Sequence, residues 1–425
     1  MNISLKKVFL LFLGVFSLFS CKNEENTVVE NLSQYVEPRI GTAHCRWFHF
    51  APGAMPFGMA KPAPSTNGSL GNKSGWEATG YDYRDNTIEG FPCLHEFQIG
   101  GISLMPTVGE LLTVPGLPSD TIKTGYRSRF SHENEVVKPG YYSVLLEDYQ
   151  IQAELTATER VAFQRFTFPQ GQEKHILFNI GNRQGESGAV KDAYVVYNQD
   201  GTVEGWVITE PEYVKKYQPG AVVPLYFFAV LDKEPLNYGA YNGNVQQPGV
   251  RESKGVGAGM YFSFASENQE VVTAKIGLSY TSVENARLNL QQEASDLDFD
   301  RAKERAQATW EDYLGRIRVE TECREDKVKF YTGLYHALLG RGLASDVNGA
   351  YPRNDGSVGQ LPMKEGTPLY NIYNTDAAWG AQWNLSQLWI LAYPEYMSEY
   401  ISSHLQAYKD AGWLADGLAN GQLTY

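Results

Sequence analysis

The sequence predicts an α+β multidomain protein with an N-terminal antiparallel β-sandwich, then a helical linker and a further helical region. Three observations carry this. Apolar residues alternate between turn dipeptides as far as about Tyr280, and the apolar period then lengthens to that of a helix. The third is the length of 425 residues, which allows two or three domains at roughly 100 to 200 residues each. With 43% apolar and 20% charged residues the chain is globular rather than disordered. Its 36 Lys and Arg against 49 Asp and Glu leave a net charge of −13, which argues against nucleic acid or an anionic membrane surface as the main partner.

In chain order, Lys6 and Lys7 precede an apolar run from Val8 to Phe19. That run is too short to span a bilayer as a mature helix and suits the core of a signal peptide. It ends Leu18-Phe19-Ser20-Cys21, which resembles a bacterial lipobox. Residues 1–20 are therefore expected to leave as a lipoprotein signal peptide, with Cys21 lipidated and anchoring the chain to a membrane. An ordinary secretory signal with an incidental cysteine is the alternative. Residues 21–31 read as a polar tether, and Glu24, Glu25 and Glu30 resemble the surface-export signal of some Gram-negative lipoproteins, which implies the periplasmic or outer face of the outer membrane. The remaining Cys45, Cys93 and Cys323 are odd in number and lack CxxC spacing, so neither a zinc ribbon nor a disulfide framework is signalled. A single Cys45–Cys93 bridge and buried free thiols both remain open.

Residues 32–281 read as the β-sandwich. Every second residue is apolar in Val272, Ala274, Ile276, Leu278 and Tyr280, and likewise in Ile176, Phe178 and Ile180. The runs Tyr141 to Leu146 and Leu225 to Val230 are continuously apolar, as strands buried on both faces are. Turn steps such as Pro139-Gly140, Asp200-Gly201, Pro219-Gly220 and Asn242-Gly243 separate them.

Residues 282–320 read as the helical linker. Phe299, Ala302, Ala306, Trp310 and Tyr313 share one face, and Asp298 and Asp300 lie where the helix dipole favours negative charge. This predicts one linking helix of about fifteen residues. In residues 321–425 a second helix is expected from about Asp326 to Leu343. A third opens after Asn374, Thr375 or Asp376 and runs to Ala392, and Pro394 starts a fourth.

Several stretches together resemble glycoside hydrolase family 92, the calcium-dependent exo-acting α-mannosidases. They are Tyr35 to Met59, Gly80 to Asp85, Ile88 to Phe91, Leu104 to Pro106, Ser131 to Arg160, the KIGLSYTSVENARLNL segment with the DFD and Trp310 after it, and Phe330 to Leu339. The resemblance implies a β-sandwich, a helical linker and an (α/α)6 barrel with the active site at their interface. It also implies hydrolysis of terminal α-linked mannose from glycans with inversion, by a glutamic acid as general acid and an aspartate as base, with calcium holding and distorting the sugar ring. Inversion requires the two carboxyl groups roughly 6.5 to 9.5 Å apart, to leave room for water. Calcium suits sugar hydroxyls and carboxylates because it is a hard, oxygen-seeking cation.

Set against that pattern, residues 321–425 provide only the start of an incomplete barrel. The acid, the base and most calcium ligands are expected beyond Tyr425, and the chain alone is expected to be inactive. A Trp-Asp-Thr segment of the family aligns with Trp379, Gly380 and Ala381, and its His-x-His with Cys93, Leu94 and His95. Trp76, His95 and Trp379 are therefore the candidate substrate-binding residues.

Each has a plainer reading. Trp76 can pack locally in its Gly-rich stretch. His95 can be a hydrogen-bonded structural residue. Trp379 and Trp383, at i and i+4, share a helix face that by default packs inward. Glu395 and Glu399 read as a solvated helix face, while Asp346, Asn348 and Asp355 lack EF-hand spacing and read as turn residues. There is no P-loop, dinucleotide fingerprint, HExxH or GxSxG to suggest other chemistry. The rival to the mannosidase is a surface glycan-binding lipoprotein that holds sugar on its aromatic residues without cleaving it.

Overall fold

The alternating segments become two antiparallel sheets in the computed structural model, which describes residues 30–43, 49–70, 80–95, 100–120, 123–184, 188–340, 342–375 and 378–424. The nine-stranded sheet runs in the order Glu252–Lys254, Ala189–Tyr197, Thr202–Glu210, Val223–Leu231, Glu270–Ser279, Val161–Phe168, Ile151–Ala157, Tyr141–Leu146, Val136–Lys138. The six-stranded sheet runs Val245–Pro248, Asn237–Asn242, Ala258–Phe264, Lys174–Asn179, Gly100–Val108, Phe91–His95. The alternation of Val272, Ala274, Ile276 and Leu278 places all four in the core, on a strand held between two neighbours. The continuously apolar runs are strands too.

Side chains of both sheets meet in one core. Phe178 of the six-stranded sheet stacks on Phe227 of the nine-stranded sheet, with centroids 6.4 Å apart. The Gln164 amide reaches across to the Phe91 carbonyl at 2.9 Å. Cys93 lies in this core as a buried free thiol whose pKa is pushed up by burial, so it takes no part in a bridge to Cys45, which itself lies outside the described residues. Cys323 is free and exposed.

Two helices, not one, follow the sheets: α1 (Val283–Ala294) and α2 (Phe299–Gly315). The Ser282 hydroxyl caps α1 by accepting from Asn285 N at 3.1 Å. A buried Asn289 interrupts the apolar stripe of α1, which is why its period is hard to read. For α2 the expectation holds. Asp298 accepts from Arg301 N at 2.8 Å as the cap, and Phe299, Ala302, Ala306 and Trp310 are buried. The indole N–H of Trp310 donates to the Ala54 carbonyl at 2.7 Å. Gly140, at φ 77° in a sheet turn, lets α2 come close, since a Cβ there would lie 2.9 Å from Ala306 Cβ.

Helix α3 spans Arg324–Leu339 and stops four residues short of the expected end. Gly340 ends it at φ 59°, and a Cβ at that position would lie 2.5 Å from the Phe57 ring. The expected third helix is broken into α4 (Ala378–Ala381) and α5 (Leu385–Ala392). Trp383 N bonds the Gly380 carbonyl in a tight turn, and Asn384 leaves helical geometry at φ −155°. Pro394 opens α6 (Pro394–Ala411) as expected, and Gly412 closes it at φ 80°. No helix among the described residues is long and apolar enough to cross a membrane.

Candidate functional site

The sheets meet the helices along a seam made by residues 50–67. On its helical side, Phe57 N donates to the Leu338 carbonyl at 2.9 Å and Leu343 N donates to the Phe57 carbonyl at 3.0 Å. The Phe57 ring stacks on Tyr396 of α6 at 3.5 Å. On its sheet side, Lys61 N, Ala63 N and Ser65 N donate to the carbonyls of Cys93, Pro92 and Gly90. This closes the edge of the six-stranded sheet, which would otherwise expose unpaired backbone groups. Lys61 is only 1% exposed, and its Nζ reaches the Gly340 carbonyl at 3.4 Å, which puts a buried cation where sheet and helix meet.

Of the three sequence-predicted site residues, Trp76 lies outside the described residues. The described chain on either side of residues 71–79 is firmly held. Glu89, buried, accepts from Ser65 Oγ, Ser69 N, Ser69 Oγ and Arg127 Nη2, the last as an ion pair. Arg127 Nη1 also donates to the Thr66 carbonyl, and Gly80 on the return stem accepts from Thr66 N and Asn67 N. A buried pair of this kind is tolerated when further hydrogen bonds support the ions. Here Glu89 and both terminal nitrogens of Arg127 are bonded, while the buried Arg127 Nε has no partner. Nearby, Glu135 accepts from Tyr81 and Tyr142 hydroxyls and from His132 Nδ1, and that carboxylate raises the His132 pKa. The second predicted residue, His95, ends the edge strand beside the seam, and its side chain lies outside the described residues.

The third, Trp379, is 39% exposed, and its neighbour Trp383 is 71% exposed. Their rings meet edge to face at 5.1 Å. The expected inward packing is not found, because α4 is a single turn and the i, i+4 face has no continuation. A Cβ on Gly380 would meet nothing within 4 Å, so the family's carboxylate position opens on free space. Asn374 N donates to the Gly342 carbonyl at 3.0 Å, and Leu343 bridges Tyr373. These bonds tie the Trp379 segment to the turn that Lys61 also contacts. Lys61 thus contacts Gly340 through its side chain and the strand that carries His95 through its backbone, and Asn374, five residues before Trp379, is bonded close by at Gly342.

Two groups at the seam were not legible in the sequence. His49 and His336 pack ring against ring at 4.3 Å. Burial, and then the neighbouring His49, push the His336 pKa down to about 4, against a bond to the Pro38 backbone. Arg160 is buried and donates to Glu293 at 2.7 Å, to the Ser345 carbonyl at 2.7 Å and to Asn371 at 3.2 Å. Both His49 and Arg160 fall in segments that carry the family resemblance, which was the only signal available for them.

Two plainer readings need correction. Glu399 is not on a solvated face, since it accepts from Asn371 N and Nδ2, both at 3.2 Å. Its partner in the pair, Glu395, is exposed as expected and pairs with Arg316. Asp346 does open a turn, its carbonyl accepting from Gly349 N at 2.9 Å, but it is more than a turn residue: its carboxylate is buried and accepts from Ser279, Thr281 and Asn289. Burial raises its pKa, and those hydrogen bonds oppose the shift. Asn348 and Asp355 do serve turns, accepting from Ala350 N and Ser357 N.

Between sheets and helices lies a cleft of about 490 Å³ whose lining includes Glu159, Arg160, Glu293, Arg305, Glu395 and Glu399. None of its four carboxylates stands without a partner: Glu159 faces Arg305, Glu293 faces Arg160, Glu395 faces Arg316 and Glu399 holds Asn371. Nor do the described residues fit calcium. No three His, Cys, Asp or Glu converge among them, and Glu89, Glu135 and Asp346 are committed to protein donors.

Fold and seam together define a two-part protein in which a sheet-rich half and a helical half share one polar boundary. The chain belongs to glycosyl hydrolase family 92, because the family's N-terminal domain model matches residues 35–279 and its catalytic domain model matches residues 285–425. An uncharacterized secreted glycosidase of Arthroderma benhamiae is 26% identical over 336 residues, 72% of this chain and 41% of that protein. Among solved structures, a family 92 alpha-mannosidase of Bacteroides thetaiotaomicron in complex with mannoimidazole is 26% identical with a TM-score of 0.83, covering 93% of this chain and 51% of that one. An inverting family 92 mannosidase of Bacteroides thetaiotaomicron VPI-5482, at 23% identity and TM-score 0.76 over 92% of this chain and 50% of its own, shares the fold. The chain spans about half the length of these mannosidases.

Proposed function

We propose that the chain forms the sheet-rich half and the opening helices of an exo-acting, inverting α-mannosidase that removes terminal α-linked mannose from glycans. The match to both family domains in sequence order supports this, and Trp379, exposed beside the open position at Gly380, is the observation that carries it. In this reading Trp379 offers an apolar ring face to the sugar, with Trp76 and His95 completing the pocket from the sheet side. The β-sandwich and the (α/α)6 barrel are the architectural terms of the same proposal. The acid that protonates the leaving oxygen and the base that activates water are assigned to groups outside the described residues, since every carboxylate of the cleft is engaged. Calcium, when bound, would supply a hard Lewis acid for sugar hydroxyls. Its ligands too are assigned outside the described residues. Lipidation of Cys21, with anchoring at the periplasmic or outer face of an outer membrane, belongs to the same proposal.

The test is calorimetric titration of residues 22–425 with mannoimidazole and with mannose, for the wild type and for Trp379→Ala. The expected result is about tenfold weaker binding in Trp379→Ala, ~1.4 kcal/mol, with an unchanged melting temperature. Equal affinities would remove the role assigned to Trp379. The second reading, a non-catalytic surface glycan-binding lipoprotein, draws on the same exposed rings of Trp379 and Trp383. A seam shaped for a transition state prefers the flattened ring of mannoimidazole to mannose, whereas a carrier shows no such preference.

A further inference from the structure

The six-stranded sheet turns one face to the core through Phe178 and Phe262. On the opposite face the strand registers align a row of polar residues. Asn237 pairs with Ser263, Ser263 with His175, and His175 with Thr107. Polar side chains in register across four strands of an otherwise apolar sheet cost stability unless they are hydrogen-bonded or used. His175 Nε2 lies 2.9 Å from the Gly109 carbonyl and must be the donor there, so Nδ1 accepts from the Ser263 hydroxyl at 2.8 Å. Burial lowers the His175 pKa and keeps the ring neutral, in keeping with that tautomer. Thr107, at the far end of the row, is 1% exposed and its hydroxyl has no partner.

Asn237, Ser263 and His175 of this row line a cleft of about 570 Å³ that shares no residue with the seam, while Thr107 lies outside its lining. His175, Ser263 and Tyr261 belong to it, together with the exposed Glu110, Glu173 and Leu236. Tyr261 lies flat along the sheet because its cross-strand partner is Gly239, where a Cβ would come within 2.4 Å of the phenol oxygen. Glu110 acts on Lys123 and Glu173 on His175 only through space, and among the described residues no three potential metal ligands converge there. The cleft thus combines carboxylate acceptors, hydroxyl and phenol groups, and apolar surface from Leu236 and Pro248.

We propose that this cleft is a second, non-catalytic binding site for a neutral, hydroxyl-rich saccharide. Carboxylates accept hydrogen bonds from sugar hydroxyls without requiring a charged ligand, and the apolar patches cover the C–H faces of a pyranose. Such a site would hold a glycan on the sheet-rich half independently of chemistry at the seam. It goes beyond the mannosidase reading and survives if that reading fails.

The experiment is titration of residues 22–425 carrying Trp379→Ala, which removes the seam's ring, with α-mannobiose and with cellobiose at millimolar concentration. At least one disaccharide should bind in this background, and adding Glu110→Gln and Glu173→Gln should weaken it about tenfold or more. Both glutamates are exposed, so folding should survive, and an unchanged melting curve confirms it. Tyr261→Phe, which keeps the ring, should weaken binding less. Absence of binding by both sugars in the Trp379→Ala background, or binding indifferent to the paired glutamine variants, would overturn the proposal.

Discussion

In the paired sheets the strand Glu270–Ser279 sends Val272, Ala274, Ile276 and Leu278 into the core with no exposure. Helix α5 does otherwise, because Trp389 is buried while Leu391 stays 84% exposed and Ile390 is also open to solvent. A sheet has two faces, and two sheets stacked together bury one face of each, so the sheet-rich half closes its own core. A helix that is apolar all round needs cover on every side. In α5 only the side towards Phe57, Trp310 and Tyr335 is covered. The same chemistry is thus fully used in one half and partly used in the other, and the seam of residues 50–67 lies where the two regimes join.

The comparison can be broken most sharply at Trp310, a fully buried tryptophan of the helical core. Trp310→Ala should cost about 4 to 5 kcal/mol in urea unfolding, from the cavity and from the lost bond to Ala54. A loss below ~1 kcal/mol would show that the covered side of the helices is as loose as the open side. Glu89→Ala comes next, at about 3 kcal/mol, since it strands the Arg127 charge in the sheet-rich half. A near-neutral result would mean that the ion pair is solvated.

Acid should then weaken the seam through His336. Its folded pKa, about 4, lies below the ordinary 6.5, so the unfolded chain binds the extra proton in between. The stabilisation is complete above pH 6.5 and is lost as pH falls from 6.5 towards 4. It should amount to about 2 to 3 kcal/mol. His336→Leu should flatten the stability profile over that window, and an unchanged slope would assign it to other groups. The smallest effect is expected at Leu391→Gln, within about 0.5 kcal/mol, because the side chain is already in solvent.

Local signals explain what the sequence made legible. Alternation located the strand carrying Val272 to Leu278, Asp298 marked the start of α2, and Pro394 marked the start of α6. What escaped depends on distant partners. Asp346 reads as a loop acid until Ser279, Thr281 and Asn289, all more than fifty positions away, fold around it. Helix α1 hid behind a polar Asn289 that is buried only because it bonds Asp346 and the Leu278 carbonyl. At the seam, the motif residues Trp379 and His95 could be named from resemblance. Lys61, Arg160 and the His49–His336 pair are meaningful only once sheet and helix have met.

The most direct test of the central claim, that the seam recognises mannose while the cutting groups lie outside the described residues, is mannose release from α-mannobiose by purified residues 22–425 with calcium added. Binding of mannoimidazole with no release of mannose is the expected result. Steady calcium-dependent turnover by that protein would contradict it.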